Sequence, residues 1–140
     1  MYKASCLCAS VELQIDGAIS EIIHCHCSRC RKSSGTAFAT NGFVHINALT
    51  VIQGQQNIKS YSAKAGSNKY FCSVCGSPLF SQNSADPKRV RLRLGIIDSD
   101  ITERPNSHNF CTSKANWEQL NDRLPHYKRH EPNRSKPPKD

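Results

Sequence analysis

Phe71-Cys72-Ser73-Val74-Cys75-Gly76-Ser77 is the stretch on which the fold of this chain turns. A Cys-x-x-Cys turn aims backbone N–H groups at both sulfurs, and Gly76 tolerates the positive φ that often follows. Two thiolates so spaced reach one tetrahedral zinc ion at about 2.3 Å, whereas a disulfide between such near neighbours is strained. Outward from this knuckle lie Cys6-x-Cys8 and Cys25-x-Cys27-x-x-Cys30, so that seven of the eight cysteines fall into three tight groups. Pairing Cys6 and Cys8 with Cys72 and Cys75 completes a Cys₄ site and closes a long loop in a small domain. A competing arrangement joins Cys72 and Cys75 to part of the middle group and strands Cys6 and Cys8. In the first arrangement the three middle sulfurs form a second site one ligand short, the pattern of an open metal position.

The middle group reads His24-Cys25-His26-Cys27-Ser28-Arg29-Cys30-Arg31-Lys32. Alternation in an extended backbone sends the Cys25 and Cys27 sulfurs to one side and His24 and His26 to the other. The sulfurs alone are therefore the expected ligands, with one histidine joining them as the alternative, and bystander histidines serve better as hydrogen-bond donors behind the site. Arg29, Arg31 and Lys32 offset thiolate charge and are candidates to hold an anionic ligand beside the metal. The competing reading is a solvated basic turn. Cys111, the eighth cysteine, stands alone as a small buried apolar residue or as a fourth ligand to the second ion.

At 140 residues the chain fits one modest domain, expected over residues 1–127, that two zinc ions would cross-link. Short runs of β character dominate it, at Val11–Ile15, Phe43–Ile46, Leu49–Ile52, Lys69–Cys72 and Val90–Leu94, most bounded by turn residues. One helix is expected from Ser113 or Lys114 to Leu124, with Trp117, Leu120 and Leu124 on one face and Pro125 closing it. Fold class is thus mainly β with short helical segments. Residues 128–140 are basic, proline-rich and without aliphatic side chains, and are expected as a flexible tail.

Formal net charge is +8, and seven thiolates on two Zn²⁺ ions would lower it to about +5. No apolar run has the length of a membrane span or the character of a signal peptide, and clustered free thiols suit a reducing compartment. A cytoplasmic protein without a membrane partner is expected. In Lys88-Arg89-Val90-Arg91-Leu92-Arg93-Leu94 the three arginines share one strand face and the aliphatics the other. Arg93 and its neighbours are either a solvated edge or a bidentate partner for a carboxylate.

Taken together, Cys-x-Cys near the N-terminus, Cys25-His26-Cys27-Ser28-Arg29-Cys30-Arg31 followed by Gly35, and Phe71-Cys72-x-x-Cys75-Gly76-Ser77 resemble the glutathione-dependent formaldehyde-activating enzyme family, which also contains centromere protein V. Downstream, Leu94-Gly95-Ile96-Ile97-Asp98, His108, Ser113-Lys114-x-x-Trp117 and Asp122-x-Leu124-Pro125 look like later family signatures, so the likeness covers roughly residues 3–127. The resemblance implies a β-rich fold similar to Mss4-like proteins. It implies a structural zinc at Cys6, Cys8, Cys72 and Cys75, a catalytic zinc at Cys25, Cys27 and Cys30, and formation of S-(hydroxymethyl)glutathione from glutathione and formaldehyde. Ser5 and Ala9 stand where glycines commonly flank the first family motif, which alters the local turn and leaves the ligands in place.

The expectation is therefore a zinc-dependent carbon–sulfur lyase-type enzyme acting on a small thiol adduct. Two rivals stand beside it: a zinc enzyme for another small electrophile, and a non-catalytic zinc module that contacts nucleic acid or another acidic partner. Against the module, no basic surface interleaved with aromatics is evident. His108 is read as a satisfied core histidine rather than a proton shuttle, and Lys114 carries no role from sequence.

Overall fold

The computed structural model describes residues 1–139. It is built on ten strands: β1 (Tyr2–Ser5), β2 (Glu12–Ile15), β3 (Ser20–Cys25), β4 (Ala39–His45), β5 (Leu49–Gln53), β6 (Ile58–Lys64), β7 (Ser67–Cys72), β8 (Pro78–Asn83), β9 (Arg89–Arg93) and β10 (Ser107–Asn109). The α-helix of the described residues, α1 (Ser28–Ser34), follows β3, and single 3₁₀ turns punctuate the rest. A small sheet runs β1-β2-β5 and a large one β10-β3-β4-β9-β8-β7-β6, with every neighbour antiparallel except β10 on β3. The mainly β class read from the sequence is the class observed. No helix of the described residues is long and apolar enough to cross a membrane.

Alternation explains the core. In β2 Leu13 and Ile15 are buried while Glu12 and Gln14 are half-exposed, and in β9 Val90 and Leu92 turn inward. These side chains join Ala4, Ile22, Val44 and Leu79 in one apolar cluster shared by both sheets. Cys6 and Cys72 belong to that cluster, so the Cys₄ group borders the core rather than decorating the surface.

The helix expected from residue 113 to Leu124 does not form: a 3₁₀ turn at Cys111–Ser113 is followed by turns and bends. Trp117, its intended anchor, is 67% exposed, so the expected Trp117–Leu120–Leu124 face is not buried as a unit. Side chains and main chain close local turns instead. Lys114 Nζ donates to the carbonyls of Ala115 and Glu118, and Asp122 Oδ1 accepts from Leu124 N at 3.0 Å.

The C-terminal segment also departs from expectation. Rather than leaving the surface at residue 128, it crosses the large sheet: Phe110 N donates to Arg129 O at 3.0 Å and Cys111 N to Tyr127 O at 3.0 Å. Glu131 is buried, accepting from Asn109 Nδ2 and from Arg134 Nε and Nη2, both at 2.9 Å. Ser135 donates from N and Oγ to the Glu21 carboxylate, each at 2.7 Å. Composition hid this strap because polar groups anchor it.

Candidate metal centres and the basic groove

The four-sulfur group forms where two turns meet. Cys6 and Cys8 lie in the turn after β1, while Cys72 ends β7 and Cys75 closes the following turn. Their sulfurs all lie within 4.8 Å of one another, with Cys6 to Cys8 at 3.6 Å and Cys8 to Cys72 at 3.9 Å. Val11 N donates to the Cys6 sulfur at 3.2 Å, and the Ser10 and Ser77 hydroxyls stand 3.0 Å from Cys8 and 3.2 Å from Cys75. The Ser77 hydroxyl and N–H hold the Cys75 thiol down to about 5. Such donors favour thiolates, the form a metal requires.

Both turns need left-handed backbone. Gly76 has φ 80°, as its residue type allows, but Ala9 has φ 60° and carries a Cβ there. The turn is held nonetheless by Ala9 N to Cys6 O at 2.9 Å and by Gln53 Nε2 to Ala9 O at 3.1 Å. Left-handed backbone costs an L-residue about 1–2 kcal/mol, and glycine's looser unfolded chain returns about 0.4–1 of that. Ala9→Gly should therefore stabilise the protein by roughly 0.5–1 kcal/mol. A fall in urea midpoint on this substitution would show that the alanine conformation is not strained.

The three-sulfur group is a strand-to-helix junction. Cys25 ends β3, Cys27 caps α1 and accepts from Cys30 N at 3.3 Å, and Cys30 is buried within the helix. The three sulfurs also lie within 4.8 Å of one another. Hydrogen bonds from Cys25 and Cys27, helped by the charges of Arg93 and Lys69, push the Cys30 thiol far below its usual range. The same sulfur contacts raise Cys25. Between Cys25 and Cys30, the surroundings thus favour the thiolate at Cys30.

Among the described residues no histidine nitrogen joins these sulfurs. His24 and His26 turn to the other side of the strand, where their rings pack on Phe38 at centroid distances of 4.6 and 4.9 Å. His24 Nδ1 contacts Thr40 Oγ1 at 2.8 Å, and His26 Nε2 contacts His108 Nδ1 at 2.8 Å. Burial lowers both His24 and His26 to about 4. Cys111 stays apart from both sulfur groups, with its thiol donating to His108 O at 3.5 Å.

The arginines of β9 divide. Arg93 is buried, its Nη1 bonded to Asn41 Oδ1 and 3.9 Å from the Cys30 sulfur, its Nη2 3.4 Å from Ser33 Oγ. Arg89 and Arg91 instead lie over the Phe43 ring, 3.8 and 3.6 Å from its centre, and face the C-terminal strap. Beside the sulfurs two adjoining hollows share Ser33, Tyr61 and Lys69. One, of about 200 Å³, reaches Arg93 and the stacked Tyr70 and Phe80; the other, of about 340 Å³, reaches Arg29 and Lys32.

Of the sequence candidates, Arg29, Lys32 and Arg93 therefore line one groove, and the half-buried Arg31 is absent from its walls. Lys69 and Tyr61 were missed. Lys69 lies on β7, three residues before the knuckle, and its ammonium is close enough to be stabilised by the Cys30 thiolate even though burial lowers its pKa. The available signal was a lysine inside a strand running into Cys72. Tyr61 gave none, because β6 is an exposed edge without alternation.

A family profile described as glutathione-dependent formaldehyde-activating enzyme matches residues 1–113. A protein of Halomonas elongata is 27% identical over 131 residues, spanning 88% of this chain and 83% of its own length. One from Penicillium rubens is 31% identical over 86 residues, which is 60% of this chain and 45% of the relative. Both carry the provisional name glutathione-dependent formaldehyde-activating enzyme. The matched region spans less than half the length of the fungal relative. A crystal structure of a Rhodobacter sphaeroides protein superposes with a TM-score of 0.61 at 22% identity, covering 71% of this chain and 91% of that one, which establishes a shared fold. With the profile running through β1 to β10 and across both cysteine groups, the chain belongs to the glutathione-dependent formaldehyde-activating enzyme family.

Proposed function

We propose that this protein adds a small anionic thiol, glutathione, to formaldehyde, giving S-(hydroxymethyl)glutathione, as a lyase-type enzyme of the cytoplasm. In this reading Cys6, Cys8, Cys72 and Cys75 hold a structural zinc, and Cys25, Cys27 and Cys30 hold a second one with an open position, two ions per chain. The catalytic domain is taken as residues 1–127, with the C-terminal segment strapped across it through Glu131 and Ser135. The observation that carries the proposal is the cationic groove beside a three-thiol group, joined to it by Arg93 at 3.9 Å from the Cys30 sulfur.

The donor sets fit the metal. Four converging sulfurs match a closed tetrahedral site, and three match an open one. A zinc ion bound at the second set would supply positive charge that favours the thiolate form of a substrate thiol. The chain's own residues do the rest. Arg29, Lys32 and Lys69 give the groove the charge to draw in and orient glutathione's carboxylates, and Arg93 offsets the negative charge of Cys30. In the reaction the thiol's S–H proton leaves, the S–C bond forms, and the carbonyl π pair becomes an alkoxide that takes up a proton. Lys69 and Tyr61, which line both hollows, are the groove donors we assign to that oxygen. Orientation accounts for much of the gain, since the addition needs no protein nucleophile.

The nucleic-acid module is not favoured. The cations of the C-terminal segment are partly spent on the fold, as in the Arg134–Glu131 pair. Calorimetry with glutathione and S-methylglutathione tests the proposal, because the thioether cannot become a thiolate. Glutathione should bind more tightly, with the gap narrowing in salt as exposed charges are screened. Equal affinities, or no binding at millimolar peptide, would remove glutathione as the substrate.

A further inference from the structure

The geometry points to a third cation site, formed by His108, Asp122 and His126, that takes one divalent transition ion of the Zn²⁺, Co²⁺ or Ni²⁺ class. It involves no cysteine and does not depend on the thiol chemistry proposed above. His108 Nε2 stands 2.7 Å from Asp122 Oδ2, and His126 Nε2 stands 3.9 Å from Asp122 Oδ1. All three ligand atoms lie within 4.8 Å of one another. An ion about 2.0–2.1 Å from each of three donors needs them roughly 3–3.5 Å apart. The two measured separations, to the two oxygens of one carboxylate, lie on either side of that spacing, and side-chain rotation would bring the three donors onto one ion.

The backbone preorganises the set. His108 and His126 are partners in a parallel bridge, held by His108 N to Pro125 O and Tyr127 N to His108 O, both at 2.8 Å. Directly paired residues on neighbouring strands present their side chains to the same side, and the two rings meet edge to face with centres 5.2 Å apart. Asp122 is fixed in the turn between them by Leu124 N at 3.0 Å. From behind, His26 Nε2 contacts His108 Nδ1 at 2.8 Å, which leaves Nε2 directed at the cluster, the arrangement common behind a metal-bound imidazole.

Access and chemistry agree. His108 forms the buried floor, with side-chain exposure of 1%, while Asp122 and His126 are 44% and 43% exposed, so an ion enters from solvent without opening the fold. Two imidazoles and one carboxylate suit borderline first-row ions rather than Mg²⁺ or Ca²⁺, which prefer oxygen alone. Without an ion, the same atoms make an ordinary histidine–aspartate hydrogen bond.

Protein carrying zinc in its sulfur sites, titrated with Co²⁺ alone, separates the two. Cobalt binds such sites less tightly than zinc and does not displace it on affinity grounds. One further equivalent should bind, with weak visible d–d absorption and no near-ultraviolet sulfur-to-cobalt charge-transfer band. His126→Ala, at an exposed position, should keep the wild-type melting temperature and weaken that binding at least about 10-fold, since loss of an outer hydrogen-bond partner alone costs 10–100-fold. Asp122→Asn, which retains an acceptor for Leu124 N, should weaken it as well. No further equivalent at millimolar Co²⁺, a charge-transfer band, or unchanged binding in His126→Ala would overturn the site and leave a histidine–aspartate pair. None of these readouts depends on glutathione.

Discussion

Cys75→Ser should leave the protein unfolded or aggregated at room temperature, although serine is nearly the size of cysteine and retains a polar atom for Ser77 Oγ. The loss is one of four converging sulfurs. Structural zinc supplies folding free energy on the order of 10 kcal/mol, comparable to the whole stability of a small domain at about 5–15 kcal/mol. The position amplifies the effect. The sulfur group ties the turn after β1 to the end of β7, 64 residues apart at Cys8 and Cys72, and Cys6 and Cys72 sit within the apolar cluster itself. If this group holds the proposed ion, losing it would leave the thiols and their donors without a common partner at the border of the core. Thermal unfolding followed by circular dichroism, with and without chelator, checks this. Chelated wild type should resemble the mutant, and an unchanged melting curve for Cys75→Ser would end the structural assignment of this group.

Cysteine spacing made both sulfur groups legible before any fold was known, because ligand convergence is a local constraint written into two turns and a strand end. Strands such as β2 and β9 were legible for a related reason: one face of each meets the core, so alternation survives in the sequence. β1, β3 and β8 were not read as strands either, but β6 and β10 show the reason most plainly, since they lack that contrast. The first is an exposed edge, and the second is the buried polar run Ser107-His108-Asn109, satisfied by β3, Glu131 and His26 rather than by apolar packing. α1 is seven residues long, too short for periodicity, and its start is set by the Cys27 sulfur accepting Cys30 N. Its end is marked by Gly35 in left-handed backbone, the one conventional cap signal there. Lys69 required knowing that β7 passes beside α1, a long-range fact no spacing encodes.

That same cap makes Cys27→Ser the informative change at the second sulfur group. Serine is among the best helix N-caps, so its hydroxyl can replace the sulfur as acceptor for Cys30 N, and α1 and the sheet should persist. As a neutral hydroxyl it is a far poorer zinc ligand than a thiolate, and two sulfurs with no third donor should not retain the ion. The expected result is a loss of one zinc per chain with an unchanged far-ultraviolet spectrum. Formation of S-(hydroxymethyl)glutathione should fall toward the uncatalysed rate. Activation of the thiol alone would account for up to about 30-fold at pH 7, since a free thiol of pKa about 8.5 is only about 3% thiolate there. Orientation in the groove adds to that factor. Metal analysis, circular dichroism and turnover measured on one preparation divide the outcomes. Collapse of the whole fold would make this group structural and reverse the division of labour between the two sets of sulfurs. Full zinc loss with full activity would place the chemistry elsewhere on the protein.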